Sequence, residues 1–145
     1  MSSMYSQAAD EIFHFLHKKV ERFSNSLPIV TVAFIEIAGD NVHDLLNAFT
    51  PTQLRSAGDG SVHAFPVTEP RVTNKEELLA VVQHGLNIRT TAATGVHDAS
   101  SRSHAILKIY IQRTDLRNKN GTNDVIEGTL TLVDLAGSEH RIDSM

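Results

Sequence analysis

Residues 29–37 read IVTVAFIEI and are apolar at nearly every position, with Glu36 as the clear exception. A run of this kind fits a strand buried on both faces, as in an α/β sheet covered by helices. Two further stretches share the pattern. Residues 105–111, AILKIYI, read as a strand whose polar member is Lys108. Residues 125–134 end in LTLVD and read as its return strand, with a polar hairpin connection at residues 113–124 containing Asn120-Gly121. The 145 residues suffice for one small domain with a core.

Helical spacing fills the remaining long segments. Ala9, Ile12, Phe13, Leu16, Val20 and Phe23 fall on one face, which predicts an amphipathic helix over residues 7–24 covering the sheet. Ser6 is its expected N-cap, with Asp10 and Glu11 in the first turn and Lys18, Lys19 and Arg22 in the last. His14 and His17 lie one turn apart on it; a metal pair and a solvated or packed pair both fit, and no third ligand is suggested. Thr73-Asn74-Lys75-Glu76 has the form of a capping box. Leu78, Leu79, Val82 and Leu86 then give the stripe of a second helix ending near Arg89. Between the helices, Gly39-Asp40-Asn41 turns the chain. Residues 42–46 read as a short strand or a helical turn, residues 49–60 as loop, and residues 61–65 and 67–72 as a small hairpin.

Two polar motifs carry chemistry. The strand ending at Asp134 is followed by Gly137, a D-x-x-G arrangement. A carboxylate there can hold Mg²⁺, usually through water, and the glycine lets a backbone N–H approach a terminal phosphate. An ordinary turn is the alternative. Upstream, residues 99–104 read ASSRSH, between the second helix and the strand at residue 105. Two of its serine hydroxyls, beside the arginine and histidine, can coordinate Mg²⁺, donate to a phosphate and form an ion pair; a plain polar loop is the alternative. The strand–loop–strand layout places both motifs at the same end of the sheet, where ligands of open α/β sheets collect.

These segments together resemble the kinesin family. ATGVHDASSRSH is similar to the kinesin switch I region, LVDLAGSE to switch II, and VAFIEIAGDNVHDLL at residues 32–46 to the strand and turn that precede them. The resemblance runs from about residue 8 to residue 139. It implies an α/β fold, a mixed central sheet flanked by helices, with residues 1–145 forming part of a motor domain. It also implies Mg²⁺ and ATP as cofactors, microtubules as partner and a cytoplasmic, cytoskeletal location. Residue by residue, Ser101 would coordinate Mg²⁺ and Asp134 would hold it through water. Ser100 would support the phosphate or the attacking water, and Gly137 would donate its N–H to the γ-phosphate. Arg102 and Glu139 would form the ion pair that closes the site. Gly85 and Arg89 match a G-x-x-x-R spacing found before switch I, so Arg89 either points toward the nucleotide region or is a solvated arginine at a helix end. His97, Ser103 and His104 would support switch I. The lobe around residues 49–72 can touch tubulin in kinesins; here only Arg55 and Arg71 supply positive charge, so ordinary surface loop chemistry is the expectation there rather than a tubulin contact.

Composition excludes other classes. There is no cysteine, hence no disulfide or thiolate metal site. Thirteen basic against 17 acidic residues give a net charge of −4, which argues against nucleic acid as partner. No apolar run approaches the roughly 18–20 residues needed to cross a membrane. The first residues lack the basic and apolar regions of a secretory signal, and a soluble intracellular protein is the expectation.

Three departures from the family stand out. The glycine-rich G-x-x-x-x-G-K-[ST] loop, which cradles the β- and γ-phosphates, occurs nowhere in these residues. The segment that would carry it precedes the first helix, and the microtubule-binding helix would follow Glu139, so bare apolar sheet edges are expected. His140 stands where arginine usually follows DLAGSE, and His97 stands where the family carries asparagine. Asparagine offers a donor and an acceptor at neutral pH, whereas histidine changes charge near pH 6.5. His97→Asn in a motor built around this segment is expected to alter phosphate sensing; unchanged ATPase kinetics would remove that role from residue 97.

Overall fold

The computed structural model describes residues 3–22, 29–56, 58–93, 103–113 and 125–134. The segment that the sequence marks as central is central. Strand β1 (Ile29–Ala38) pairs along its whole length with β6 (Ser103–Arg113), from Ile29 opposite Gln112 to Ala38 opposite Ser103. Strand β7 (Val125–Asp134) lies beyond β6, with Asp134 opposite Ala105 and a bulge at Ile111/Gln112. On the other side of β1, Gly39 takes φ +61°, a conformation glycine reaches without strain, and turns the chain into β2 (Asn41–Asp44). Strands β3 (Thr50–Ser56) and β4 (Val62–Phe65) continue the sheet outward. The order is β4-β3-β2-β1-β6-β7, and the short β5 (Arg71–Val72) pairs with the first half of β1. Val32 N–H donates to the Pro70 carbonyl and Leu45 N–H to the Phe34 carbonyl, which fills the edge of β1 between β5 and β2. Every strand pair among the described residues is antiparallel, so the expected mixed sheet is replaced there by an antiparallel one.

Helices α1 (Ser3–Arg22) and α2 (Lys75–Ala93) cover one face only. Tyr5, Ala9, Ile12 and Leu16 of α1 and Leu78 and Val82 of α2 are buried in one core with Val30, Val32 and Phe34 of β1 and Leu107 and Ile109 of β6. The apolar run of β1 is buried on both faces, as its sequence predicts, but helices cover one of them and the sheet itself covers the other. The β3–β4 hairpin curls over Ala33, Ile35, Ile37, Ile106 and Tyr110, leaving a groove of about 780 Å³ between the two layers. Lys108 Nζ donates to the Val62 carbonyl at 2.8 Å and ties the hairpin down.

Other expectations shift for identifiable reasons. Helix α1 begins at Ser3 rather than after Ser6, because Tyr5 extends the apolar stripe one turn backward; it ends at Arg22, and Phe23 and Ser24 lie outside the described residues. Asp10 and Glu11 are therefore past its first turn. His14 and His17 are both exposed on it. Helix α2 continues beyond Arg89 to Ala93. Residues 50–56, read as loop, form β3: TPTQLRS lacks apolar alternation because nearly all of it faces solvent. Pro51 is tolerated because that half of β3 has only β2 beside it, and β4 pairs from Gln53 onward. Strand β4 pairs with β3, and residues 71–72 pair with β1, so no hairpin joins them to each other. The connection at residues 114–124 lies outside the described residues.

The cap of α2 is displaced by one residue. Asn74 Oδ1 accepts the Glu77 N–H at 2.8 Å, and Glu77 Oε1 reaches back to the Thr73 N–H at 2.7 Å and its hydroxyl at 2.6 Å. Thr73 and Glu76 are thus not the capping pair; Asn74 and Glu77 are. Asn74→Ala is expected to cost about 1 kcal/mol of stability, whereas Glu76→Ala stays within about 0.5 kcal/mol. The opposite ranking in chemical denaturation would return the cap to Thr73 and Glu76.

Candidate functional site

The register of the three long strands assembles the site. Ala38 at the end of β1 lies opposite Ser103 at the start of β6, and Ala105 of β6 lies opposite Asp134 at the end of β7. Alternation then points Glu36, Ser103 and Asp134 to the helix-covered face. Helix α2 reaches them because Gly85 presses on β1. A Cβ there would lie 2.9 Å from Cε2 of Phe34 and closer still to Cδ2. One turn later, Arg89 arrives over the sheet end.

Arg89 joins four groups. Its Nε donates to Glu36 Oε2 at 3.1 Å, and its Nη2 donates to the Ser103 carbonyl at 3.1 Å and to Ser103 Oγ at 3.0 Å. Its Nη1 reaches Asp134 Oδ2 at the longer distance of 3.4 Å. Ser103 Oγ donates in turn to Glu36 Oε2 at 3.2 Å. The Arg89 and Glu36 side chains are only 13% and 5% exposed, and Asp134 is 30% exposed. Of the two alternatives for Arg89, the solvated one is therefore excluded. The fork of the guanidinium suits this work, since a lysine ammonium is a single point charge that cannot span a helix and three strands.

The structure thus brings together Arg89, Ser103 and Asp134 of the expected residues. His104 pairs with Ile37 on the opposite face of the sheet, away from Arg89. Ser103 and His104 belong to β6 rather than to a loop. His97, Ser100, Ser101, Arg102, Gly137 and Glu139 lie outside the described residues. Sequence reasoning missed one member of the cluster, Glu36, and one buried neighbour of β1, Tyr5. Glu36 was visible as the one charge in an apolar strand, a signal that its carboxylate needs a buried cation. Tyr5 had no such signal. It is 2% exposed and packs edge-on to Phe34 at 6.0 Å between centroids. Burial pushes its phenol up to about 12; the negative charge of Asp134 adds to the shift and the positive charge of Arg89 opposes it.

Removing the cation from a buried pair strands the carboxylate. Arg89→Met is expected to cost about 3–5 kcal/mol, and Arg89→Lys to recover only part of it. Denaturation curves that superimpose on the wild type would mean that Glu36 finds its stability elsewhere.

The residue pattern and the fold both match known proteins. Residues 2–145 match the family model of the kinesin motor domain. The chain is similar to diatom spindle kinesin-1 of Cylindrotheca fusiformis, 40% identical over 115 residues, which cover 79% of this chain and 17% of that protein. It is similar to the kinesin-like protein KIF19 of Mus musculus, 33% identical over 126 residues, covering 86% of this chain and 12% of the relative. It is also similar to kinesin-like protein KIN-13B of Arabidopsis thaliana, 30% identical over 144 residues, covering 99% and 20%. The chain therefore spans no more than about a fifth of the length of these relatives. A solved structure of a fast kinesin superposes with a TM-score of 0.71 at 28% identity, over 92% of this chain and 36% of the other. An apolar β1 pinned by Arg89 to the ends of β6 and β7, with this family match across nearly every residue, makes the chain a member of the kinesin motor-domain family.

Proposed function

We propose that this chain is the switch-bearing middle of an ATP-driven microtubule motor. The observation that carries the reading is the simultaneous hold of Arg89 on Glu36, Ser103 and Asp134. Ser103 is the residue that follows Ser100-Ser101-Arg102, and Asp134 is the residue that precedes LAGSE. One buried guanidinium therefore touches the root of each motif, and Glu36 anchors it to the central strand. A displacement of either loop would pull on the same side chain. Such shared contacts let loss of a phosphate become movement.

In this reading Ser101 and Asp134 hold a magnesium ion, the latter through water. Asp134 fits that work: it ends a strand, keeps 30% of its side chain exposed and meets Arg89 at the long distance of 3.4 Å. Magnesium, when bound, neutralises the charge on the phosphate oxygens of ATP. Ser100 supports the phosphate or the attacking water, Gly137 donates to the terminal phosphate, and Arg102 pairs with Glu139 to close the site. His97, Ser103 and His104 support the first loop. The partner is the microtubule and the location the cytoskeleton. The similar fast kinesin, described with its ATPase mechanism and its interactions with microtubules, supports the assignment.

A second reading has one observation in its favour. The 145 residues contain no G-x-x-x-x-G-K-[ST], so these residues alone lack the lysine and glycine turn for phosphoryl transfer. They then act as a non-catalytic kinesin-like binding partner. The two readings separate by experiment. The 145-residue chain alone is expected to release no phosphate in the presence of microtubules. A longer protein carrying this segment is expected to do so, with kcat lowered about 10–100-fold by Arg89→Ala. An immunoblot showing a natural protein of only this size would favour the binding partner, and full activity in the Arg89→Ala motor would remove Arg89 from the mechanism.

A further inference from the structure

The outer half of the β3–β4 hairpin is tied to the sheet beneath it by few polar contacts. Among the described residues, two side-chain hydrogen bonds cross from β4 to β6. Lys108 and Tyr110 lie two residues apart on β6 and so project to the same face. Lys108 Nζ donates to the Val62 carbonyl at 2.8 Å, and the Tyr110 hydroxyl meets Nδ1 of the next residue, His63, at 3.5 Å. The second tie continues beyond the ring. His63 Nε2 lies 2.8 Å from Ser61 Oγ, and Ser61 donates its hydroxyl, at 2.5 Å, and its N–H, at 2.9 Å, to Asp59 Oδ1. A hydroxyl has one proton to give, and a carboxylate can only accept. The Ser61 proton therefore goes to Asp59, and the contact between Ser61 and His63 must be closed by a proton on Nε2. The neutral ring then offers Nδ1 as an acceptor, and the Tyr110 hydroxyl donates to it. Every donor points the same way, from Tyr110 through His63 and Ser61 to Asp59. A neutral ring protonated at Nδ1 would set a bare Nε2 against an oxygen with no proton left to give.

We propose that the β3–β4 hairpin is a strap over the apolar groove, fastened to β6 by Lys108 and by this one-way chain of hydrogen bonds, and that its release uncovers the groove floor at Ala33, Ile35 and Ile106. The strap has a natural hinge. Strand β3 pairs with β2 through Thr50, Pro51 and Thr52, and from Gln53 onward its described pairing is with β4 alone. Both ends of the chain suit their roles. The two bonds from Ser61 hold the Asp59 carboxyl below the usual carboxylate range, so it stays an acceptor. Burial, and after it the negative charge of Glu69, raises the Tyr110 phenol, so it keeps the proton it donates. The inference stands on these contacts and holds whether or not the nucleotide reading does.

The test has two parts, both on the full 145-residue chain. Long-range ¹H–¹⁵N magnetic resonance of the histidine rings at about pH 8, where an ordinary imidazole is neutral, reads the tautomer of His63 in the wild-type chain and needs no variant to fold. The proton is expected on Nε2, and a proton on Nδ1 overturns the proposal. The second part reads the strap. The chain has no cysteine, so a thiol introduced by Ala33→Cys on the groove floor is the sole site for an aromatic disulfide reagent. Adding Tyr110→Phe, which removes one hydroxyl, is expected to speed its labelling about 2–10-fold, the range set by loss of one ordinary hydrogen bond. A thiol introduced by Ala9→Cys, buried under the helices on the other face, is expected to keep its rate. Equal labelling of the Ala33→Cys thiol with and without Tyr110→Phe overturns the strap. An equal gain at both thiols overturns it as well, by assigning the effect to unfolding of the whole chain.

Discussion

One guanidinium inside the fold sets the terms for the rest. Arg89 is buried against Glu36, and neither charge is tolerable there alone. Helix α2 must therefore lie close enough to β1 for the pair to form. That closeness is what Gly85 permits at the Phe34 ring. The same side chain then collects Ser103 and Asp134, so the starts and ends of three strands are fixed to one helix. A buried ion pair is a poor source of net stability, but it specifies geometry, since few arrangements satisfy all its donors at once.

The layers are unequal in a way that serves this geometry. On the cluster side, two helices make a closely packed core with β1 and β6. On the other side the β3–β4 hairpin folds back over the sheet and leaves a groove of about 780 Å³ lined by Ile35, Ile37, Leu54, Ile106 and Tyr110 among others. Exposed Leu54, Val62 and Phe65 on that hairpin, and Leu130 and Val133 on β7, mark the lightly packed part of the molecule. Close packing is thus concentrated between the two helices and strands β1 and β6.

Much of this was legible before any coordinates. The β7 boundaries follow from LTLVD and its polar lead-in, and β1 from a run in which only Glu36 is charged. The helical stripes of α1 and α2 are right in phase and displaced only at their ends, because caps depend on single hydrogen bonds such as Asn74 to Glu77. Strand β3 was not legible. Its residues are almost all exposed, so no burial pattern is written into them, and only pairing with β2 and β4 makes them a strand.

The amino-acid sequence by itself determined the central strands, the two amphipathic helices and the family, because those rest on periodic burial and on contiguous motifs. It also placed Arg89 and Asp134 among residues of interest. Only the tertiary structure decided that the sheet is antiparallel among the described residues, that its second face is covered by its own hairpin, and that Glu36, Arg89, Ser103 and Asp134 meet. These are contacts between residues as many as 67 apart in the chain. Strand register and helix approach set them, and neither leaves a local mark that a reading along the chain can find.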